Sequence, residues 1–365
     1  MRDKNEKINS LGLSSLIISL SGASFWGILT SFMLSKSKTS TIISMPIGFI
    51  LGLIISKILL SFYGKFPNLS YTNKFKKVYK KLSIILNFII LIISIFLYIF
   101  LSYRLSNFLS SQYLTETPTL YFYVIILLLT SYTASLGIET VTRVSLITLY
   151  TSLIIFIFDL INLIPYIKLD NYLPIISVDF KSILISSVIY ALYSTIPLLF
   201  IMTSKKDNLV DKEKFNKYFI GMYTLSFILV FTAIMVTLGI FGTNLVNMFD
   251  YPLYSVLKKI QIFSFIDSIE NVSASLWIFF TITGCSIINL SIFNNIKETL
   301  NLTNNNKLYK IIIFIVILLI PKLLFINNSY TETFNYVKVP IILTIVLLII
   351  ITITTIILKF KKEWN

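Results

Sequence analysis

Two short polar runs interrupt sequence that is otherwise apolar: Ser21-Gly22-Ala23-Ser24, and Tyr193-Ser194-Thr195 followed by Pro197. Neither sets a nucleophile beside a base, so the chemistry on offer is binding rather than catalysis. Pro197 has no N–H, and its ring clashes with the carbonyl of Tyr193, which loses its helical partner. Small residues such as Gly22 and Ala23 either let two helices approach closely or let one helix unwind and expose backbone N–H and C=O groups. Unwound half-helices would present positive N-terminal ends to a carboxylate and freed carbonyls to an ammonium group. That geometry suits a free amino acid without any charged side chain. Close packing accounts equally well for the first run, and a simple kink for Pro197.

Ionisable groups within apolar sequence are few. Glu139 precedes Arg143 by four residues, the favourable order for an ion pair on a helix. An exposed pair of this kind is worth only a few tenths of a kcal/mol, up to about 1, so its value is positional. Glu270 requires a partner if it faces a bundle interior, and an intramembrane acid is functional by default. Asp159 is read as solvated by an outer vestibule, because no second buried carboxylate follows it to continue a proton path. Lys57 and Arg104 lie close enough to segment ends to snorkel.

The chain has no histidine and one cysteine, Cys285, which sits in an apolar stretch and is read as packing. A disulfide framework, a His-based metal site and a His-containing triad are excluded. Neither an enzyme nor a cofactor is expected.

The elements that hold these residues follow from composition. Of 365 residues, 56% are hydrophobic and 13% charged, and the mean hydropathy is +0.85. Soluble chains are about 45–50% apolar and about 25% charged, so this is an integral membrane protein with one membrane domain, residues 1–365, and short loops. Ten apolar segments, each near the length of about 20 residues that a bilayer requires, run over 10–34, 41–63, 82–108, 119–137, 142–164, 181–203, 218–242, 266–292, 308–327 and 338–359. The first is long and is followed by others, so it is read as a helix and not a signal peptide.

Charge sets the orientation. The net charge of +15 comes from 31 Lys and Arg against 16 Asp and Glu. With the N-terminus inside, cytoplasmic segments collect Arg2, Lys4, Lys7, Lys65, the lysines from 74 to 81, Arg143, those from 205 to 217, Lys297, Lys307, Lys310 and those from 359 to 362. That is about 21 of the 31, whereas the segment from Ser110 to Thr119 has none. Both termini are therefore expected inside. The surplus of charge implies contact with anionic membrane lipid, not nucleic acid. Residues 66–81, with Tyr71, Phe75 and Val78 at helical spacing among lysines, predict a helix in the cytoplasmic interface. Residues 253–263 predict a short amphipathic helix on the outer side.

The polar runs fall in segments one and six, matching members of two five-helix halves that begin on opposite sides of the membrane. Paired interruptions in a 5+5 inverted repeat point to a midplane binding site. The first repeat covers about 10–164 and the second about 181–359.

Two stretches carry a family likeness. Gly137-Ile138-Glu139-Thr140-Val141-Thr142-Arg143 resembles the Gly-(Leu/Ile)-Glu-x-(Ile/Val)-x-Arg motif of the membrane-embedded B subunits of spore nutrient germinant receptors. The stretch from Tyr251-Pro252 through Ile260 and Ile262 to Phe265-Ile266-Asp267-Ser268-Ile269-Glu270, then Trp277, resembles the second signature of that family. Ser268 stands where the family carries Arg, which leaves Lys258 or Lys259 to neutralise Glu270. The resemblance implies an all-α integral membrane fold of ten transmembrane helices, LeuT-like and of the amino acid–polyamine–organocation superfamily. It also implies A-type and C-type partner subunits and a place in the inner membrane of a spore.

The combined expectation is a nutrient receptor subunit. A small amino acid or similar germinant would bind between broken helices one and six, at Ser21, Gly22, Ala23, Ser24, Tyr193, Ser194 and Thr195. Pro197, Glu139, Arg143 and Glu270 would serve structure or coupling. Differential affinity for two conformations would supply the signal. The alternative is a secondary amino acid transporter coupled to H⁺ or Na⁺, and a passive water or ion conduit is a third possibility.

Overall fold

The computed structural model describes residues 7–246, 248–260, 270–302, 308–324 and 335–360. Its described residues are almost entirely helical. In chain order the helices are α1 (Ser10–Ser24), α2 (Thr30–Ser37), α3 (Thr41–Gly64), α4 (Tyr71–Tyr79), α5 (Ser83–Gln112), α6 (Thr119–Ser135), α7 (Ile138–Leu163), α8 (Phe180–Ile201), α9 (Phe215–Val246), α10 (Pro252–Leu257), α11 (Glu270–Thr299), α12 (Leu308–Leu324) and α13 (Asn335–Phe360). Six helical stretches, built on α3, α5, α7, α8, α9 and α11, are long and apolar enough to cross a bilayer, and shorter apolar helices lie in α1, α6, α12 and α13. Side chains such as Ile85, Ile92, Ile125, Ile147, Ile154 and Ile161 are exposed. Such a surface suits lipid and would be a liability in water. The chain is an integral membrane protein.

At the centre is α1, whose residues from Gly12 to Ala23 are all buried. Helices α7, α8, α9 and α11 pack around it. Its N-terminus is tied down twice: the Asn9 side chain accepts from the Leu11 N–H at 2.9 Å, and Asp211 accepts from the Ser10 N–H at 2.9 Å. Ile8 and Leu209 add a short parallel bridge. These contacts satisfy N–H groups that a helix start leaves without partners.

The polar runs do not unwind. Ser21–Ser24 belongs to α1, and the α-helical pattern changes one residue later, in a π-helical turn over Phe25–Leu29. There the Phe25 carbonyl accepts both the backbone N–H of Thr30 and its hydroxyl, the latter at 2.7 Å. The expected break in segment six is absent, because α8 runs without interruption through Pro197. Its polar side chains are occupied by helix contacts. Thr195 donates to the Ala191 and Leu192 carbonyls at 3.0 and 2.9 Å, and Ser194 pairs with the Tyr223 hydroxyl at 2.7 Å. Lipid tolerates a proline within a helix when neighbouring groups surround it, and Ile189 to Ile201 are all buried.

Helix α3 presents Gly48, Gly52 and Ser56 at four-residue spacing to α8 and α9. A Cβ on Gly48 would lie 2.6 Å from the Ser187 carbonyl oxygen, and one on Gly52 would lie 1.9 Å from the Tyr223 hydroxyl. Small residues thus bring the helix backbones together where hydrophobicity gives no drive for association.

A helix forms within residues 66–81 as expected, as α4, but one of its lysines turns inward. Lys74 is buried and donates to the Phe62 and Tyr63 carbonyls, at 3.0 and 2.9 Å, at the C-terminal end of α3. The outer amphipathic helix is shorter than expected, as α10, and is buried at every position except Ser255; residues 261–263 lie outside the described ones.

Two outcomes test this packing. Gly52→Ala should destabilise the protein by about 1–3 kcal/mol through overpacking, read as a lower thermal midpoint in detergent. Adding Tyr223→Phe, which removes the clashing hydroxyl, should restore part of it. Burial raises the Asp211 carboxyl pKa, but bonds from Ser10 outweigh this and hold it below the usual carboxylate range. A depressed folded pKa gives stability that is present above the unfolded value of about 3.9 and is lost as pH falls through the folded value. Asp211→Asn should therefore cost about 0.5–1 kcal/mol at pH 7 and progressively less below pH 4.

Candidate functional site

A cavity of about 90 Å³ lies where the π-helical turn meets α7, α9, α10 and α11. It exists because regular packing is interrupted there. Gly22 has no side chain, and a Cβ on it would lie 2.5 Å from the Phe280 ring, so that ring rests against the α1 backbone. The π-helical turn follows at once and sets Phe25 and Trp26 on the cavity wall. Trp26 stacks on Trp277 with ring centroids 6.4 Å apart, and the Trp277 indole N–H donates to the Ala23 carbonyl at 3.2 Å.

The outer wall comes from α10. Helix α9 turns at Gly242, whose φ of +65° is a conformation that glycine adopts without strain. The chain then enters α10, where Leu253, Val256 and Leu257 border the cavity. Tyr251, Tyr254, Phe108 and Trp277 form an aromatic cluster beside it, with the Phe108–Trp277 centroids 4.7 Å apart.

Most of the wall is hydrocarbon, from α9 (Leu229, Val230, Val236) and α11 (Leu276). Five polar side chains interrupt it. The hydroxyls of Thr30, Ser152 and Thr237 are turned to carbonyls of Phe25, Leu149 and Ala233 in their own helices. Asp159 is 7% exposed and accepts from the Ser273 hydroxyl at 2.6 Å. Among the described residues no other hydrogen bond reaches its carboxylate, and Ser226, 5% exposed, has no partner for its hydroxyl. Among the described residues no Lys or Arg borders the cavity.

Of the residues singled out in the sequence, Gly22 borders the cavity. Ser21 is buried beside it with its hydroxyl unpaired among the described residues, Ala23 accepts from Trp277, and Ser24 donates to the Leu20 carbonyl at 2.9 Å. Tyr193, Ser194, Thr195 and Pro197 are buried in α8 and do not border it. The structure therefore brings the first polar run to the cavity and not the second.

Glu139 and Arg143 form their ion pair at 2.5 Å in the first turns of α7, largely exposed. That places the pair some twenty residues, or about 30 Å of helix, from Asp159 on the same helix. Glu270 begins α11 and is half-buried. Among the described residues no ion pair joins it to Lys258 or Lys259, and the Lys258 ammonium instead lies over the Tyr254 ring, 4.6 Å from its centre. Residues 261–269, which hold Ser268 and the middle of the second signature, lie outside the described ones. No group of three or more His, Cys, Asp or Glu that could hold a metal ion occurs among the described residues.

The sequence placed Asp159 in a solvated vestibule, whereas the structure buries it against Ser273; neither that partner nor Ser226 on the same cavity wall was legible. The one available signal is that Ser152 and Asp159, seven apart, share a face of α7. Trp277→Phe should remove the donor to the Ala23 carbonyl. We expect a loss of about 1–3 kcal/mol for the unpaired buried acceptor, seen as a lower thermal midpoint.

The chain is 28% identical over 174 residues to YfkT of Bacillus subtilis (strain 168), whose name assigns it provisionally to spore germination. That match covers 47% of this chain and 46% of YfkT, so the chain aligns with about half the length of that relative. The sequence profile of the spore permease family, described as "Spore germination protein", matches residues 7–331, nearly the whole chain, and the protein belongs to that family.

Proposed function

We propose that this protein is the membrane B subunit of a spore nutrient germinant receptor, which binds a small germinant and passes on a change of conformation. The observation that carries the reading is the cavity beside Gly22 and the π-helical turn, in a chain of the spore germination family. A mostly apolar pocket with a few convergent polar groups is the usual form of a small-molecule site. In this reading the ten apolar segments all span the inner membrane of the spore, with both termini cytoplasmic, as two inverted halves of five. A-type and C-type subunits would receive the signal. The germinant is an amino acid or a similar small molecule.

Structural observation modifies the mode of binding. Helix α8 is continuous, so the ligand has no broken segment six to occupy. A cavity bounded by α2, α7, α9, α10 and α11 around α1 gives the ligand contact with six helices at once. If it fits one arrangement of these better than another, it shifts their equilibrium by that difference in affinity.

The buried Asp159 in the same cavity also favours a second reading, an ion-coupled amino acid transporter. Deleting the gene from the spore former that carries it should abolish the response to at least one nutrient. Intact germination by every nutrient would remove the sensory role. Uptake of labelled amino acid into proteoliposomes, driven by an H⁺ or Na⁺ gradient and blocked by Val230→Trp, would favour the transporter.

A further inference from the structure

We propose that the cavity recognises the ammonium group of a small amine or amino acid with a short apolar body, Asp159 serving as counter-charge and Ser226 as the second polar contact. This rests on the reading of the cavity as a ligand site, and specifies what that site selects.

The argument begins with an unbalanced carboxylate. A charged group removed from water is costly unless paired and hydrogen-bonded. Asp159 is 7% exposed, and Ser273 supplies one hydrogen bond to one of its oxygens. Among the described residues no cationic side chain borders the cavity. The second polar observation is independent of the first. Ser226 comes from a different helix, is 5% exposed and has no partner for its hydroxyl among the described residues.

Aromatic rings reinforce the preference for positive charge. Trp26 and Phe280 both border the cavity, and ring faces attract ammonium groups. The same wall disfavours a carboxylate that comes without an ammonium group, because it would meet the Asp159 charge with no cation to offset it. Around these groups Leu229, Val230, Leu253 and Val256 suit a short branched hydrocarbon. A cavity of about 90 Å³ is smaller than the roughly 150 Å³ that accommodates benzene, which restricts it to a small molecule.

An amine and an amino acid share this chemistry, and three probes separate them: L-valine, isobutylamine (the same body without the carboxylate) and isovalerate (without the ammonium). Thermal unfolding of the purified full chain in detergent reads binding, since a ligand of the native state raises the midpoint. Isobutylamine should raise it and isovalerate should not; a shift with L-valine as well identifies the amino acid as an acceptable source. Asp159→Asn should weaken isobutylamine roughly thirtyfold or more, as loss of a buried charge partner does. Ser226→Ala should weaken it about two- to tenfold. If Asp159→Asn fails to fold, the comparison of probes on the unaltered protein and Ser226→Ala decide the matter. Equal shifts with isovalerate and isobutylamine, or unchanged isobutylamine binding to Asp159→Asn, would overturn the ammonium assignment and leave the cavity as a site. No shift with any of the three would overturn both. A shift with NaCl over KCl at equal ionic strength, and none with the amines, would give Asp159 to a metal ion and also overturn the proposal.

Discussion

A helix enclosed on every side must settle its polar atoms with its own backbone or with its neighbours, and α1 is in that position. Its entry is held by Asn9 and Asp211. Midway, Ser15 and Ser19 meet Ser145 of α7 at 2.7 and 3.4 Å. Farther on, Trp277 of α11 reaches the Ala23 carbonyl, and Thr30 closes the π-helical turn on Phe25. The contacts with Asp211, Ser145 and Trp277 tie the central rod to three other parts of the chain. The interior is thereby indexed by hydrogen bonds, because apolar contact alone does not distinguish one helix depth from another in lipid.

The cavity follows from the same constraint. Where the α-helical pattern gives way to i→i+5 pairing, side chains of the two halves of the first rod fall out of register. π-Helical turns recur at functional sites for this reason. Glycine at position 22 lets Phe280 close to the backbone, and α10 covers the outer side. What remains between is a small space with one acid, one unpaired hydroxyl and hydrocarbon.

How much of this could be read from residues alone depends on which force did the positioning. Helix placement was legible, because a bilayer-length apolar segment has one stable solution. The pairing of two interrupted segments was legible as a pattern but not as a geometry. Ser194 and Thr195 are the residue types expected at an unwound turn, and equally the types that bond back to a carbonyl one turn earlier. The structure takes the second course in α8. The Gly48, Gly52, Ser56 spacing contained the missing discriminator, since it marks a packing face and makes the α8 polar residues its counter-surface. Gly22 stood out for its small size. Ser226 did not stand out at all, because a lone serine in a helix apolar all round has no periodic signal.

Lys74 has a consequence for how the molecule can move. Its ammonium group caps the last carbonyls of α3 and lies 5.1 and 5.4 Å from the centres of the Phe62 and Tyr63 rings. Separating α4 from α3 would strand a buried amine and two carbonyl acceptors. The two helices are therefore obliged to travel together, like a hinge plate bolted to its door. Any rearrangement that loosens this end of the bundle must carry that plate as a rigid body, and its yielding points must lie at the plate's edges.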